Sequence, residues 1–231
     1  MFEADEIILI AIASTVLGFF LSLFYPSLTF RFVTFIIMSL LVFVMLFIFT
    51  ASQKLVAHSL DCKAKIKLLT FSRYGFKPEE TLGFEFPLWF ILPLIFYFIT
   101  AGKFLWTAIL NFEPEALKTK VRRKFSELTE EDIAKIAVSG PLALLIFGLI
   151  MRIAHFNSFA YLCILTAFLA FLPLGSGAKI YAGMRITGVF LLVLSLAILL
   201  LMPLLSVLVT ILIALVIAII FIITYYVLWE R

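Results

Sequence analysis

The sequence predicts an all-α polytopic membrane protein with about six transmembrane helices and a re-entrant hydrophobic hairpin. Hydrophobic residues make up 65% of the 231 residues, and charged residues make up 14%. Soluble domains are roughly 45–50% apolar and about 25% charged. Several apolar runs also reach the length of about 20 residues that crosses a bilayer as a helix. We therefore expect residues 1–231 to form a single, multi-pass domain in the lipid bilayer of the cell membrane.

Apolar runs and their breakers define the predicted helices. The predicted transmembrane helices cover residues 7–25, 32–57, 133–152, 159–174, 187–202 and 204–229. Pro26 ends the first, and Met202-Pro203 divides the last apolar stretch, which as one helix would be about 64 Å long, twice the hydrocarbon thickness. Thr129 is expected to cap the third, because the three residues after it are acidic and favour the helix dipole.

Basic residues predict the topology, because Lys and Arg collect on the cytoplasmic side of a membrane. Residues 58–85 and 113–132 are expected to form two cytoplasmic loops, which requires residues 86–112 to enter the membrane and return on the same side. Lys103 fits the return limb of such a hairpin. The alternative is a plain seven-span arrangement in which this segment crosses. In the re-entrant arrangement both termini are cytoplasmic, and the acidic N-terminus predicts a retained anchor rather than a cleaved signal.

Two shorter patterns lie in the loops. The stretch CKAKIKLLTF, residues 62–71, alternates polar and apolar residues with the period of a β-strand. The basic run 117–124 is typical of a solvated face near anionic lipid headgroups. It has no interleaved aromatic residues, so nucleic acid is not an expected partner.

Three segments, in order, resemble the site-2 protease family of intramembrane zinc metalloproteases, in its archaeal branch. The first is KLVAHSLDCKA, residues 54–64, and the second is Ser139-Gly140-Pro141 after the lead-in FSELTE at residues 125–130. The third is FLPLGSGAKIYAGMRI, residues 171–186. The resemblance covers roughly residues 30–200 and implies the three-helix core of that family, with the Gly-Pro step packed against the helix that carries the metal ligands.

The resemblance also implies that the zinc ligands are missing. In the family, the two His residues of an H-E-x-x-H motif and the Asp of an Asp-Gly pair bind zinc, and the Glu is the general base. The corresponding positions here are Phe49, Thr50, Gln53 and Ser176. Phe has no lone pair, and neutral Thr, Gln and Ser are poor zinc ligands. We therefore expect no intact catalytic residue and no cofactor, with zinc expected only if the inactive interpretation is wrong.

A substitute metal site would draw on His58, Asp61 and Cys62, which lie at positions i, i+3 and i+4 and so share a helical face. The sequence favours a solvated helix end instead, so His58 and Cys62 remain secondary metal candidates. His155 is expected in an interfacial loop. Cys62 and Cys163 form neither a C-x-x-C motif nor a disulfide framework.

The predicted function is that of a catalytically inactive site-2 protease homologue that binds a transmembrane or extended segment of another membrane protein. The expected binding residues are Thr50, Gln53, Ser139, Gly140, Pro141, Ser176 and Gly177. One alternative is an active intramembrane metalloprotease with non-standard ligands. The other is a transporter or channel component, which would normally show paired intramembrane charges or internal repeats.

Overall fold

The computed structural model describes residues 2–24, 31–73, 81–116 and 129–229. Its elements are α1 (Ala4–Phe24), α2 (Phe32–Ser59), β1 (Cys62–Leu68), β2 (Phe71–Arg73), β3 (Thr81–Phe86), α3 (Leu88–Ile99), β4 (Leu110–Ala116), α4 (Glu130–Ile153), α5 (Asn157–Phe171), α6 (Ser176–Gly183), α7 (Arg185–Leu201) and α8 (Val207–Trp229). Some predictions lie outside the described residues: the break at Pro26, part of the first basic loop (74–80), the basic run 117–124 and most of the lead-in (125–128).

The described part of the chain is mostly helical, and several helices suit a membrane. α1, α2, α4 and α8 are long and apolar enough to cross, and α5 with α6 makes a fifth candidate if the two count as one span bent by 55°. The predicted helix over 159–174 ends earlier, at Phe171. α7 has 17 residues, about 25 Å, against a hydrocarbon core of about 30 Å. Four or five candidate crossings are therefore present among the described residues.

Two local predictions of helix ends are confirmed. Thr129 precedes α4, and its side-chain oxygen accepts a hydrogen bond from the backbone N–H of Asp132 at 3.2 Å. This bond satisfies one of the N–H groups that the first turn of a helix leaves free. α7 ends at Leu201 and α8 begins at Val207, so the chain breaks at the predicted Met202-Pro203 step.

Besides the helices, the described residues include four short strands. They form two separate two-stranded sheets, β1 with β4 and β2 with β3. The strand predicted from the alternation in residues 62–71 is confirmed as β1. Cys62, Ala64 and Ile66 are buried, and Lys63, Lys65 and Lys67 are exposed. Three more strands arose where the sequence had predicted loops or an apolar hairpin.

The segment over 86–112 is less helical than predicted. Only Leu88–Ile99 is helical, and these 12 residues extend about 18 Å, too short to cross a bilayer as a helix. Ala101 and Gly102 follow with positive φ, Lys103 is exposed, and the chain then becomes strand β4. This geometry is compatible with a segment that turns back. Its path relative to a bilayer stays a prediction.

The chain divides into two compact units, residues 1–47 with 65–113 and residues 48–64 with 114–231. In the first unit, α1 touches α2 where Gly18 lies against Ser39, and Phe20 on α1 contacts the rings of Phe90 and Tyr97 on α3. In the second unit, α4 packs along α5 and α6, and α7 packs on α8.

A buried carboxylate in the first unit lies at the edge of β1. Glu6 is 4% exposed, and its Oε1 accepts a hydrogen bond from the backbone N–H of Ile66 at 3.1 Å. The N–H of Leu69, three residues further, donates to Ile109 O beside β4. Successive backbone N–H groups of a strand point to opposite sides. The backbone N–H of Ile66 therefore points away from β4. Glu6 binds the edge of β1 that β4 does not cover.

Candidate binding site around Gln53

The second half of α2 and the middle of α4 meet through a glycine. A Cβ atom placed on Gly140 would lie 2.9 Å from Phe49 Cε2 and 3.1 Å from Cγ and Nε2 of Gln53. Real side chains do not approach so closely without a shift, so only glycine fits this crossing as it stands. The predicted packing of the Gly-Pro step against α2 is therefore confirmed.

A hydrogen bond reinforces this crossing beside the glycine. Ser52 Oγ on α2 donates a hydrogen bond of 2.8 Å to the backbone carbonyl of Ser139 on α4. The next residue but one, Pro141, is buried inside α4 and has no N–H to offer the carbonyl of Ala137. The two helices therefore meet at a point where α4 has both a minimal side chain and a locally interrupted hydrogen-bond ladder.

The side chain of Gln53 is buried at this crossing without hydrogen bonds. It is 1% exposed, and neither Oε1 nor Nε2 has a hydrogen-bond partner within the described part of the chain. A buried amide in this state costs about 1–3 kcal/mol relative to a satisfied one. Its neighbours Phe49 and Thr50 are also buried, at 4% and 0% exposure. An apolar residue would fill the same space at lower cost, so the amide requires an explanation beyond packing.

Ser176 and Gly177 begin α6, and both are buried. α5 runs antiparallel to α4, because Gly148 of α4 packs against Ala160 and Ile164 near the start of α5. The end of α5 lies about 16 Å further along, which brings it near the level of residue 137 on α4.

α6 then continues toward the start of α4, where Gly183 lies against the backbone of Glu130. Of the predicted site residues, Phe49, Gln53 and Gly140 are in direct contact, and Ser139 joins them through Ser52. Ser176 and Gly177 are buried at the start of α6, where Gly177 contacts the end of α5.

The premise of a substitute metal site on one helical face is wrong. α2 ends at Ser59, Asp61 adopts a left-handed φ of 57°, and Cys62 is the first residue of β1. His58, Asp61 and Cys62 therefore do not follow one helix. Within residues 2–24, 31–73, 81–116 and 129–229, no group of three His, Cys, Asp or Glu side chains is arranged to hold a metal ion. His155 lies exposed in the turn between α4 and α5, as predicted.

The Cys62 thiol is poorly suited to bind a metal. It is buried, and its Sγ donates a hydrogen bond to Leu60 O at 3.1 Å. Burial raises the pKa of the Cys62 thiol above its usual range, and the carboxylates of Asp132 and Asp61 raise this pKa further. Metal binding requires the thiolate, which this environment disfavours.

We expect slow alkylation of Cys62 in a variant that also carries Cys163→Ser. Because the thiolate reacts and the raised pKa keeps the thiol protonated, the rate with a maleimide at neutral pH should be below that of free cysteine. The rate should rise only at a pH above that for free cysteine. Asp132→Asn should increase it by removing one carboxylate. A pH–rate profile that matches free cysteine would contradict this assignment.

Three structural residues carried little signal in the sequence. Glu6 is an acid at the edge of an apolar run, and its partner, Ile66, lies 60 residues away. Tyr181 donates from its hydroxyl to Phe171 O at 2.9 Å, which ties α6 to the end of α5. Arg152 bonds to Met202 O across 50 residues. Each is a polar group among apolar neighbours, which is a reason to expect a partner but does not identify it.

Comparison with protein-family models, with curated proteins and with solved structures finds no match to this chain.

Proposed function

We propose that the chain is a membrane-embedded binding protein with a site-2 protease-like core that lacks the zinc ligands and therefore does not hydrolyse peptides. Its proposed ligand is a transmembrane or extended segment of another membrane protein. The observation that carries the proposal is the Gln53 amide, which is buried and has no hydrogen-bond partner among the described residues. The resemblance assigns this position to a metal ligand, and a polar group kept there at a cost in stability is expected to serve a ligand.

The chemistry of the surrounding positions supports binding rather than catalysis. Phe49 offers no lone pair, and Thr50, Gln53 and Ser176 are neutral side chains that do not readily bind zinc or activate water. A Gln amide can donate two hydrogen bonds and accept two. That combination matches the N–H and C=O of a peptide group or a polar side chain of a partner helix. Because Phe49 and Gly140 enclose the amide, the proposed binding includes a rotation of the Gln53 side chain.

The edge of β1 supports an extended ligand as well. β1 pairs with β4 on one side, and Lys63 and Lys65 are exposed along it, while Lys67 forms a salt bridge of 2.6 Å with Glu113. Extended peptides add to such edges through main-chain hydrogen bonds. Lys63 and Lys65 would favour a segment with acidic residues. In the same proposal the six predicted helices form the membrane domain and both termini are cytoplasmic, which puts the basic loops on that side.

The proposal is tested by the zinc content of the purified wild-type chain in detergent without added metal. We expect close to zero zinc per chain, and one tightly bound zinc with chelator-sensitive peptide cleavage would overturn the proposal in favour of the active-protease alternative. The matched variant carries Phe49→His, Thr50→Glu, Gln53→His and Ser176→Asp. If these positions converge, it should bind about one zinc per chain.

The two measurements separate the site geometry from the function. Zinc uptake by the fourfold variant that is lost when Ser176→Asp is omitted would support convergence of the four positions. No uptake by a well-folded fourfold variant would contradict the resemblance. The partner is then sought with a photo-crosslinking residue at position 53 in membranes, with the lipid-facing position 146 as the control, since Ile146 is exposed on α4.

A further inference from the structure

A cavity opens in the second compact unit, at the turn between α4 and α5 and beside the start of α8. Its volume is about 630 Å³. Arg152, His155 and Asn157 line one side, and Leu205, Leu208 and Ile211 line the other. No acidic residue lines it within the described part of the chain. The cavity thus joins a cationic, hydrogen-bonding wall to an apolar wall.

Arg152 is held in place but keeps donors for a ligand. Its Nη1 donates to Asn157 Oδ1, and its Nη2 donates to Met202 O at 3.1 Å. These bonds fix the guanidinium at the last turn of α4, where a positive charge suits the helix dipole. A guanidinium has five N–H groups, so donors remain for an anion. Arg is also the side chain best shaped to bind a phosphate through two parallel hydrogen bonds.

A second hollow lies against the same Arg152–Asn157 pair. Its volume is about 380 Å³, and Ser158 and Tyr161 contribute hydroxyl groups to its wall. A ligand whose anionic group rests on Arg152 would therefore have hydroxyl and amide partners within reach on this side.

The apolar wall continues as a stripe along α8. Leu208 and Leu212 are 76% and 65% exposed, and a spacing of four residues keeps them on one helical face. α8 has 23 residues and is about 35 Å long, so the stripe can follow an acyl chain into the hydrocarbon.

We propose that this cavity is a binding site for an anionic phospholipid with a hydroxyl-bearing headgroup, such as phosphatidylglycerol. The phosphate binds Arg152 and His155, and the headgroup hydroxyls face Ser158 and Tyr161. One acyl chain lies along Leu205, before α8, and then along Leu208 on α8. The site is separate from the Gln53 crossing and does not depend on the proposed function.

The test is native mass spectrometry of the full chain in detergent, titrated with phosphatidylglycerol or with phosphatidylcholine of the same acyl chains. The wild type should retain phosphatidylglycerol about fivefold more tightly. Arg152→Gln should abolish this preference. Leu208→Trp, which fills the apolar wall and leaves the bonds of Arg152 intact, should weaken both lipids. This variant also tests the site through its lipid affinity if Arg152→Gln does not fold.

The control is Arg185→Gln at the start of α7, an exposed cation that does not line the cavity. It should leave the lipid preference unchanged. The proposal is overturned if Arg152→Gln keeps the preference, or if Arg185→Gln loses it equally, which would indicate general charge attraction. It is also overturned if soluble glycerol 3-phosphate displaces the lipid at equal concentration, because the cavity would then bind free anions without using its apolar wall.

Discussion

Replacing Gly177 with alanine is expected to destabilise the chain by about 3 kcal/mol or more. Gly177 lies in the first turn of α6, where its N–H donates to Leu174 O at 3.0 Å. A Cβ atom there would overlap the carbonyl oxygen of Leu172 and would lie 2.8 Å from that of Ala170. Both atoms belong to the backbone at the end of α5, so no side-chain rotation relieves the clash. The variant must shift the whole bend between α5 and α6.

The measurement is the thermal midpoint in detergent, together with size-exclusion chromatography to detect aggregation. Ala178→Leu is the matched control, because Ala178 is the next residue along α6 and is exposed. It should change stability by less than about 0.5 kcal/mol, as surface substitutions generally do. If Gly177→Ala has the same thermal midpoint as the wild type, the close approach of α6 to the end of α5 is wrong.

Replacing Gln53 with methionine is expected to stabilise the chain by about 1–3 kcal/mol. Methionine has nearly the shape of glutamine but no polar atoms, so it keeps the contact with Gly140 and removes two unsatisfied groups. The same variant should lose photo-crosslinks to a bound segment, monitored with a crosslinking residue at the neighbouring position 56. Greater stability with lost binding is typical of a residue kept for function.

Ser52→Ala is a control at the same crossing that should change stability in the opposite direction. Ser52 has a hydrogen-bond partner, the carbonyl of Ser139, so its loss should lower stability by about 1 kcal/mol. If Gln53→Met lowers stability as Ser52→Ala does, the Gln53 amide is satisfied in the membrane and gives no reason to propose a ligand.

The features that the sequence predicted well are those that neighbouring residues decide. Thr129 caps α4 because a hydroxyl precedes a turn of acidic residues, and β1 forms where lysines alternate with apolar residues. The helix break at Pro203 is equally local. The contact of Gly140 with α2 was expected from the resemblance together with the need of two helices for a small residue where they cross.

The features that the sequence did not predict depend on contacts between distant residues. β4 crosses the predicted boundary between the hairpin (86–112) and the cytoplasmic loop (113–132), and its sequence, LNFEPEA, does not reveal its pairing with β1. The bend after Phe171 shortened a predicted span, and Tyr181, ten residues on, holds that bend through Phe171 O. For the candidate site, the sequence located Gln53 but did not reveal that its amide is unpaired. That state depends on how Phe49 and Gly140 enclose it.

The carboxylate of Glu6 competes with any segment that would pair with the edge of β1. Its Oε1 already accepts the Ile66 N–H, which is the group that an incoming strand would use. Adding a segment at that point is therefore an exchange of one acceptor for another, with little net gain from the main chain. Selectivity must then come from the incoming side chains and from whatever stabilises Glu6 once it is released. The same occupancy protects an exposed edge from pairing with other copies of the chain.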